Sequence, residues 1–330
     1  MIIAGDIGGT NARLALFDVS GNQLILRTKK DYHTRDYQTF EMVIREFRAE
    51  NPGPVQAASF GVAGPVLNNR VSATNLAWII DGAEVAKTLN LSHTTLLNDL
   101  VSYAYGALAM HPDELYELQP GKPTEGNRAL VAAGTGLGEG GLLWNNGEFL
   151  PVATEGGHAD FAAIDDIGIE LFRYLREKFG RVSIERVICG KGLQNIYEFL
   201  RDTNTAEEPA ALAEEIRNAP DVPALISRYG MQAKYPICEQ ALDIFCTYYG
   251  AEAGNIALKF VATGGVYVGG GIAVKIIEKL KTSGFLRAFN NKGRFSTLLQ
   301  TVPVRIILNE HAGLIGAARA ALTTLGASAS

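Results

Sequence analysis

The 330-residue chain has few cysteines, few aromatic residues and no long apolar run. Its three cysteines are an odd number without C-x-x-C spacing, which argues against a disulfide framework or a zinc site and favours a reducing, cytoplasmic compartment. No stretch approaches the roughly 20 consecutive apolar residues that a bilayer span requires, so we expect no membrane segment. The first residues contain no basic leader, so we expect no signal peptide.

Positive charge is also scarce. Lys and Arg together number 30, against 35 Asp and Glu, and the formal net charge is −5. A nucleic-acid binder normally needs a concentrated positive surface to displace counterions from phosphates. The composition therefore predicts no nucleic-acid partner. At roughly 100–200 residues per domain, the length favours about two domains.

Glycine, by contrast, is abundant, with 36 residues, and it is clustered. The first cluster, residues 5–10 (GDIGGT), lies between two segments of strand type. Glycines let main-chain N–H groups approach an anion closely, and successive N–H groups form an anion nest. Asp6 would repel a phosphate unless a divalent cation lay between them, so it suggests Mg²⁺ bound with an oligophosphate. The alternative is a tight hairpin turn that binds nothing.

A second glycine cluster, residues 134–141, follows an apolar strand in the same way, and Asn146-Gly147 then predicts a type I′ hairpin. Two glycine–threonine hairpins about 130 residues apart indicate a duplicated α/β architecture. Residues 136–141 match G-x-G-x-x-G, but a dinucleotide fingerprint must open a helix, whereas a strand follows here. The sequence also has no P-loop motif.

Asn98 and Asp99 follow the apolar run 94–97 and precede a predicted helix. A carboxylate at such a junction lies where open α/β sheets bind ligands, at the carboxyl ends of the strands. The helix N-terminus favours the ionised form of the carboxylate, which can then accept a proton. The alternative is that one of these residues only caps the helix.

The segment 155–158 (EGGH) places a carboxylate and an imidazole on a bent backbone, because two glycines exclude a stable helix. A buried His158 that bonds a nearby carboxylate or carbonyl is the alternative. Glu185 by itself suggests a solvated acid in a first helical turn. Asn, Asp, Glu and His side chains all bond hydroxyls. A site built from them rejects a pyranose that lacks one of the hydroxyl groups it bonds.

Taken in order, these motifs resemble those of the bacterial-type glucokinases. The resemblance covers nearly the whole chain. The matching segments are 5–13 (GDIGGTNAR), 97–99 (LND), 133–138 (AGTGLG), 155–158 (EGGH), 185–190 (ERVICG), 264–272 (GGVYVGGGI), 292–295 (KGRF) and 313–316 (GLIG).

The resemblance implies a two-lobed α/β fold like that of actin, Hsp70 and hexokinase, with a duplicated mixed sheet and flanking helices. It places a small domain at residues 1–109 with 302–330, and a large domain at 110–301. The implied activity is Mg²⁺- and ATP-dependent phosphorylation of D-glucose at its 6-hydroxyl, the entry to glycolysis. The implied protein is a cytoplasmic homodimer.

The resemblance also implies roles for single residues. Asp99 would be the general base that takes the 6-hydroxyl proton. The residues that would bind glucose are Asn98, Asp99, Glu155, His158 and Glu185. The residues that would bind ATP are Gly5, Asp6, Ile7, Gly8, Gly9, Thr10, Thr135, Gly136, Gly270 and Gly271, the last two near adenosine. Asp6 would bind Mg²⁺ through water.

Two functional alternatives stay open: a kinase of another hexose or an amino sugar, and a sugar-sensing regulator without turnover. The phosphoryl donor could be ATP, ADP or polyphosphate. Residues 139–141 (EGG) are more acidic and flexible than the apolar continuation typical of the family. The zinc-binding cysteine cluster of the related repressor/kinase group is absent from the sequence, so we predict no structural metal.

Overall fold

A computed structural model of the chain describes residues 1–21, 23–72, 78–122 and 124–327. The strands are β1 (Ile2–Ile7), β2 (Asn11–Ser20), β3 (Gln23–His33), β4 (Ala57–Val62), β5 (Arg70–Ser72), β6 (Ile79–Asp81), β7 (Thr95–Asn98), β8 (Leu115–Gln119), β9 (Arg128–Ala133), β10 (Leu137–Asn145), β11 (Glu148–Ala153), β12 (Gly265–Gly269) and β13 (Val304–Ile307). The helices are α1 (Phe40–Glu50), α2 (Gly82–Leu89), α3 (Asp99–Ala109), α4 (Asp166–Phe179), α5 (Gly190–Asp202), α6 (Ala210–Asn218), α7 (Val222–Met231), α8 (Pro236–Phe260), α9 (Gly270–Lys275), α10 (Ile277–Thr282), α11 (Phe285–Asn290), α12 (Ser296–Thr301) and α13 (Ala312–Ala327).

These elements form two compact units, one of Met1–Glu114 with the chain from Asn309 onward, the other of Leu115–Leu308. The domain prediction, 1–109 with 302–330 and 110–301, places its cuts a few residues earlier, and β13 lies in the sheet of the second unit. The division into domains stays a prediction. Among the described residues, no helix combines the length and the apolarity that a membrane crossing needs.

The first unit contains a five-stranded mixed sheet in the order β3-β2-β1-β4-β7. β1 is antiparallel to β2 and parallel to β4, which is parallel to β7. Phe40, Val43, Ile44 and Phe47 follow the i, i+3, i+4, i+7 spacing that predicts one face of a helix, and in α1 all four are buried in the core of this unit. Because β1, β4 and β7 are parallel, their carboxyl ends lie at the same edge of the sheet.

The second unit repeats this arrangement in the order β11-β10-β9-β12-β13, with β8 added antiparallel at the edge. β9 is antiparallel to β10 and parallel to β12, which is parallel to β13. Each sheet thus has a hairpin at its start and two parallel strands beside it. The duplicated mixed sheet predicted from the two glycine hairpins is confirmed.

Several local predictions hold because a single residue determines the backbone. The spacing of Ile169, Phe172, Leu175 and Phe179 predicts a helix that Gly180 ends, and Gly180 does end α4, with φ +74°. Asn146 and Gly147 turn the β10–β11 hairpin at φ +48° and +102°. The charged, alanine-rich segment 206–218 predicts a helix, but α6 begins only at Ala210, because Pro209 precedes it in extended conformation as the N-cap. β5, β6, β8 and α2 are too short to show a clear period, so the sequence does not predict them.

Candidate functional site

In the first unit, Asp6 and Asp99 lie on either side of one glycine. Asp6 on β1 is the register partner of Gly61 on β4, and α3 begins with Asp99 directly after β7. A Cβ built on Gly61 would lie 3.7 Å from the Cα of Asp99 and 2.7 Å from the Cβ of Ser102. Gly61 therefore lets α3 approach the sheet closely. Both carboxylates stand at the strand ends where α/β sheets bind ligands.

Asn98 is the N-cap of α3, as the alternative interpretation predicts. Its Oδ1 accepts the N–H of Leu100 at 3.0 Å, and its Nδ2 donates to the carbonyl of Gly64 at 3.1 Å. Asp99 is half-buried, and its Oδ1 accepts the N–H of Leu100 at 2.9 Å. The positive end of α3 favours an ionised Asp99. Sugar binding by Asn98 and Asp99 stays a prediction.

The β1–β2 hairpin presents backbone donors to solvent. The N–H of Gly8 closes the turn on the carbonyl of Asn11 at 2.9 Å, while Thr34 donates to the carbonyls of Gly9 and Thr10 at 2.8 and 3.0 Å. Gly9 and Thr10 are exposed, and in the part of the chain that the structure describes their N–H groups have no acceptor. Such amides suit an anion. Sequence reasoning missed Thr34, for which the motif gives no signal.

Not every predicted phosphate-loop residue presents such a donor. A Cβ on Gly5 would lie 2.6 Å from Cδ1 of Phe60, so Gly5 is required by core packing. Ile7 is buried in the core, and its carbonyl accepts the N–H of Ala63 at 3.0 Å. Gly5 and Ile7 therefore pack in the core next to the hairpin. Their contact with nucleotide stays a prediction.

Asp6 lies beside the hairpin, with a third of its side chain exposed and Arg13 at 3.7 Å. Burial raises the pKa of Asp6 above its ordinary value, Arg13 and His311 lower it, and Asp31 raises it further. A Cβ on Gly313 would lie 3.6 Å from Cγ of Asp6, so α13 begins next to this carboxylate.

The donor set around Asp6 fits a magnesium ion that a phosphate chain also binds. Mg²⁺ prefers oxygen ligands and keeps several waters, and one carboxylate is a common protein contribution. Within residues 1–21, 23–72, 78–122 and 124–327, no three His, Cys, Asp or Glu side chains are placed to hold a metal. A bound Mg²⁺ at Asp6 would therefore take its other ligands from phosphate and water.

In the second unit, the hairpin of Thr135 and Gly136 is tied to Glu185. Oε2 of Glu185 accepts the N–H of Leu137 at 2.9 Å, and a Cβ on Gly136 would lie 2.5 Å from the same oxygen. The carbonyl of Gly134 accepts the N–H of Gly190 at 2.9 Å. Glu185 does lie in the first turn of a 3-10 helix, but the expectation that it is solvated is wrong, because its half-buried side chain bonds the hairpin.

Glu155 and His158 lie on a neighbouring 3-10 turn, and both are exposed. The alternative of a buried His158 is therefore wrong. The carbonyl of Ala159 accepts the N–H of Ile184 at 2.9 Å, which fixes this turn against the one that contains Glu185. Glu155, His158 and Glu185 thus stand on adjacent turns of one unit. Their contact with sugar stays a prediction.

Gly270 brings the start of α9 to the second hairpin. Its φ is +83°, and a Cβ would lie 2.2 Å from the carbonyl oxygen of Ala133, the last residue of β9. The hairpin 134–136 begins there, and Gly271 is exposed. The two glycine segments predicted for phosphate and adenosine therefore lie at one edge of the second sheet. No described contact identifies their ligand.

The acidic segment 139–141 is part of β10 and not a flexible loop. Glu139 is 2% exposed, and Gly141 is required because a Cβ there would lie 2.2 Å from Cε1 of Phe260. The expectation that the two glycines make this segment flexible is therefore wrong, because the segment is a packed strand. The sequence analysis also gave no role to Gly313, which stands beside Asp6, or to Gly316, whose Cβ would collide with the carbonyl of Ser102.

Comparison with known proteins gives concordant results. The family model described as Glucokinase matches residues 3–324. A glucokinase of Trichormus variabilis is 39% identical, with 96% of this chain and 98% of that protein covered. A glucokinase from an Antarctic psychrotroph has a TM-score of 0.83 at 29% identity, with 98% of both chains covered. A ROK family glucokinase from Streptomyces griseus, solved in complex with glucose and AMPPNP, has a TM-score of 0.67 at 20% identity and shares the fold.

Proposed function

The chain belongs to the glucokinase family, and from this membership we propose that it transfers the γ-phosphoryl group of ATP to the 6-hydroxyl of D-glucose. The products are glucose 6-phosphate and ADP. The observation on which the mechanism rests is the placement of Asp6 and Asp99 on either side of Gly61, beside a hairpin with outward N–H groups.

Asp99 is the general base of the proposed reaction. It orients the 6-hydroxyl and receives its proton as the O–P bond forms. Phosphoryl transfer has a loose transition state, so positioning and charge neutralisation supply most of the acceleration. A base of this kind contributes about 10²- to 10⁴-fold. The N-terminus of α3 keeps the carboxylate ionised and therefore able to accept the proton.

The side chains that we propose to bind glucose are hydroxyl-bonding groups, assigned to each unit by itself. Asn98 and Asp99 come from the first unit, and Glu155, His158 and Glu185 from the second. The amide of Asn98 is fixed by its cap bonds, and the carboxylate of Glu185 is fixed by Leu137. Rigid partners leave unpaired polar atoms when a substrate hydroxyl is missing, which favours one hexose over its analogues.

The ATP contacts that we propose are likewise assigned to each unit by itself, at the hairpin of the first unit and at the hairpin and the start of α9 in the second. The N–H groups of Gly9 and Thr10 contact phosphate oxygens, as do Thr135 and Gly136, while Gly270 and Gly271 lie near adenosine. Asp6 would hold Mg²⁺ through water, and the ion would supply positive charge to neutralise the phosphates. Arg13 keeps Asp6 oriented at the mouth of the hairpin.

Two further inferences belong to the same proposal. We infer a cytoplasmic homodimer, with support only from the family resemblance and from the absence of cysteine pairing among the described residues. A kinase of another hexose or an amino sugar is the remaining alternative. Turnover on glucose, mannose, fructose and N-acetylglucosamine distinguishes it. The family match does not favour a regulator without turnover.

The test of the mechanism is Asp99→Asn, which keeps the shape of the side chain and its acceptor for the Leu100 N–H. We expect glucose-dependent ADP formation to fall by at least about 100-fold while a non-hydrolysable ATP analogue still binds. The matched control is Asp36→Asn, an exposed aspartate of the same unit, which leaves the rate unchanged. A fully active Asp99→Asn would remove Asp99 from the mechanism.

A further inference from the structure

Glu139 on β10 is a buried carboxyl group that the proposed reaction does not use. Its residue is 2% exposed, and its Oε1 has no hydrogen-bond partner among the described residues. It faces a second buried carboxyl group, Glu252 of α8, which is 6% exposed. Two ionised carboxylates in such a place repel each other, whereas one shared proton turns the contact into an O–H···O hydrogen bond.

The neighbours of the pair show which member holds the proton. Both oxygens of Glu252 accept hydrogen bonds, from Nδ2 of Asn255 at 2.8 Å and from Nζ of Lys259 at 3.2 Å. Lys292 adds positive charge nearby and donates to Oδ1 of Asn255 at 2.6 Å. Within the described part of the chain, Oε1 of Glu139 has no such donor, so the proton belongs to Glu139.

Glu139 also supports the turn to which glucose binding is assigned. A Cβ on Gly156 would lie 2.1 Å from Oε2 of Glu139, so the carboxyl packs directly against that glycine. The backbone carbonyl of Glu139 accepts Oγ1–H of Thr154 at 2.8 Å, and the same Oγ1 accepts the N–H of Gly156 at 3.1 Å. The side chain of Glu139 therefore packs against the turn that contains Glu155 and His158, and its backbone carbonyl is linked to the same turn through Thr154.

We propose that Glu139 is a positioning residue, which in its neutral form holds the Glu155–His158 turn in the geometry that binds glucose and on losing its proton releases it. The inference rests on the proposed function, because it assigns this turn to the sugar. An ionised Glu139 faces the carboxyl group of Glu252 without a proton between them. Repulsion then displaces its carboxyl from the contact with Gly156.

The transition falls at alkaline pH. Burial, and then the charge of Glu252, raise the pKa of Glu139 to about 8, while Lys259 lowers it. Below that value the turn is held, and above it the turn loosens. Glucose affinity therefore falls as pH rises through about 8, and the chemical step at Asp99 keeps its rate once glucose is bound.

The experiment measures KM for glucose and kcat between about pH 7 and pH 9.5 for the wild type, Glu139→Gln and Glu148→Gln. The amide introduced by Glu139→Gln keeps the neutral shape and donates to Glu252 at every pH. Glu148 is an exposed glutamate on the adjacent strand β11 and is the matched control. We expect KM to rise at least about fivefold in the wild type and the control with little change in kcat, and to stay flat in Glu139→Gln.

A second readout does not depend on turnover. Hydrogen exchange of the Gly156 and His158 amides, corrected for the intrinsic effect of pH, should lose protection above about pH 8 in the wild type but not in Glu139→Gln. If Glu139→Gln does not fold, Glu252→Gln takes its place. Without the charge of Glu252, Glu139 ionises at lower pH, and both transitions move down with it.

The outcomes separate the two proposals. A wild type that forms no ADP from glucose at any pH refutes the proposed function, whatever the exchange data show. An active wild type whose KM profile and amide protection match those of Glu139→Gln refutes the role of Glu139 alone. The same holds if kcat falls in place of a rise in KM, because a positioning role toward the sugar alters binding.

Discussion

Replacing Glu139 by glutamine should change the pH dependence of folding stability. The folded chain keeps the proton on Glu139 up to about pH 8, because burial raises the pKa of this group from its ordinary 4.5. The unfolded chain releases the same proton near pH 4.5. The stability that the proton contributes is therefore fully present below that pH and is lost as pH rises toward about 8.

The size of this effect follows from the two values. Each pH unit between them costs about 1.4 kcal/mol per proton, so the loss of unfolding free energy is on the order of a few kcal/mol. The amide side chain of Glu139→Gln does not titrate and avoids this loss. Relative to the wild type, Glu139→Gln should gain stability steadily from about pH 5 to pH 8 and gain no more above it.

Urea unfolding, followed by tryptophan fluorescence, measures the unfolding free energy of the second unit, which contains Glu139. Trp144 lies on β10 in the second unit and Trp78 in the first, so a Trp78→Phe background leaves Trp144 as the reporter. The control Glu148→Gln removes an exposed carboxylate and should follow the wild type at every pH. If the unfolding free energies of the wild type and Glu139→Gln depended on pH in the same way, the conclusion that Glu139 is neutral when buried would be refuted.

Two more predictions concern the first unit. Gly106→Ala should lower the unfolding free energy by about 1–3 kcal/mol or more, because its Cβ would lie 1.9 Å from the carbonyl oxygen of Ala312. The control is Gly271→Ala, because a Cβ at this helical position would meet nothing within 4 Å. Equal urea midpoints for the two variants would contradict the packing argument. Asp6→Asn should raise the Mg²⁺ concentration needed for half-maximal activity by at least about tenfold, since a neutral amide is a weaker ligand for a hard cation. An unchanged magnesium titration would exclude Asp6 as the site.

Much of the fold could be predicted from local pattern. The face of α1, the end of α4 at Gly180 and the Asn146-Gly147 hairpin each depend on a few neighbouring residues, and all are found. The duplicated sheet follows from two similar hairpins, because a glycine–threonine turn between strands is unusual enough to mark a repeat. Short edge elements such as β8 have no comparable local signal.

The site was harder to predict where long-range contacts decide. Glu185 lies in a sequence typical of a solvated acid, yet its carboxylate bonds Leu137, which is 48 positions earlier. Glu139 lies beside two glycines that suggest flexibility, yet it is buried against Glu252. In both cases tertiary packing overrides the local preference. The role of Asn98 as a cap could be predicted, because capping needs only the residues that follow it.

Gly61 has a consequence for how accurately the reacting groups of the first unit are spaced. Because Gly61 has no side chain, Cβ of Ser102 and Cα of Asp99 can lie close to β4, the strand paired with the one that holds Asp6. Backbone in a sheet hardly yields, whereas rotamers interconvert freely. A larger residue at position 61 would therefore displace the start of α3, and Asp99 with it, from the strand beside Asp6.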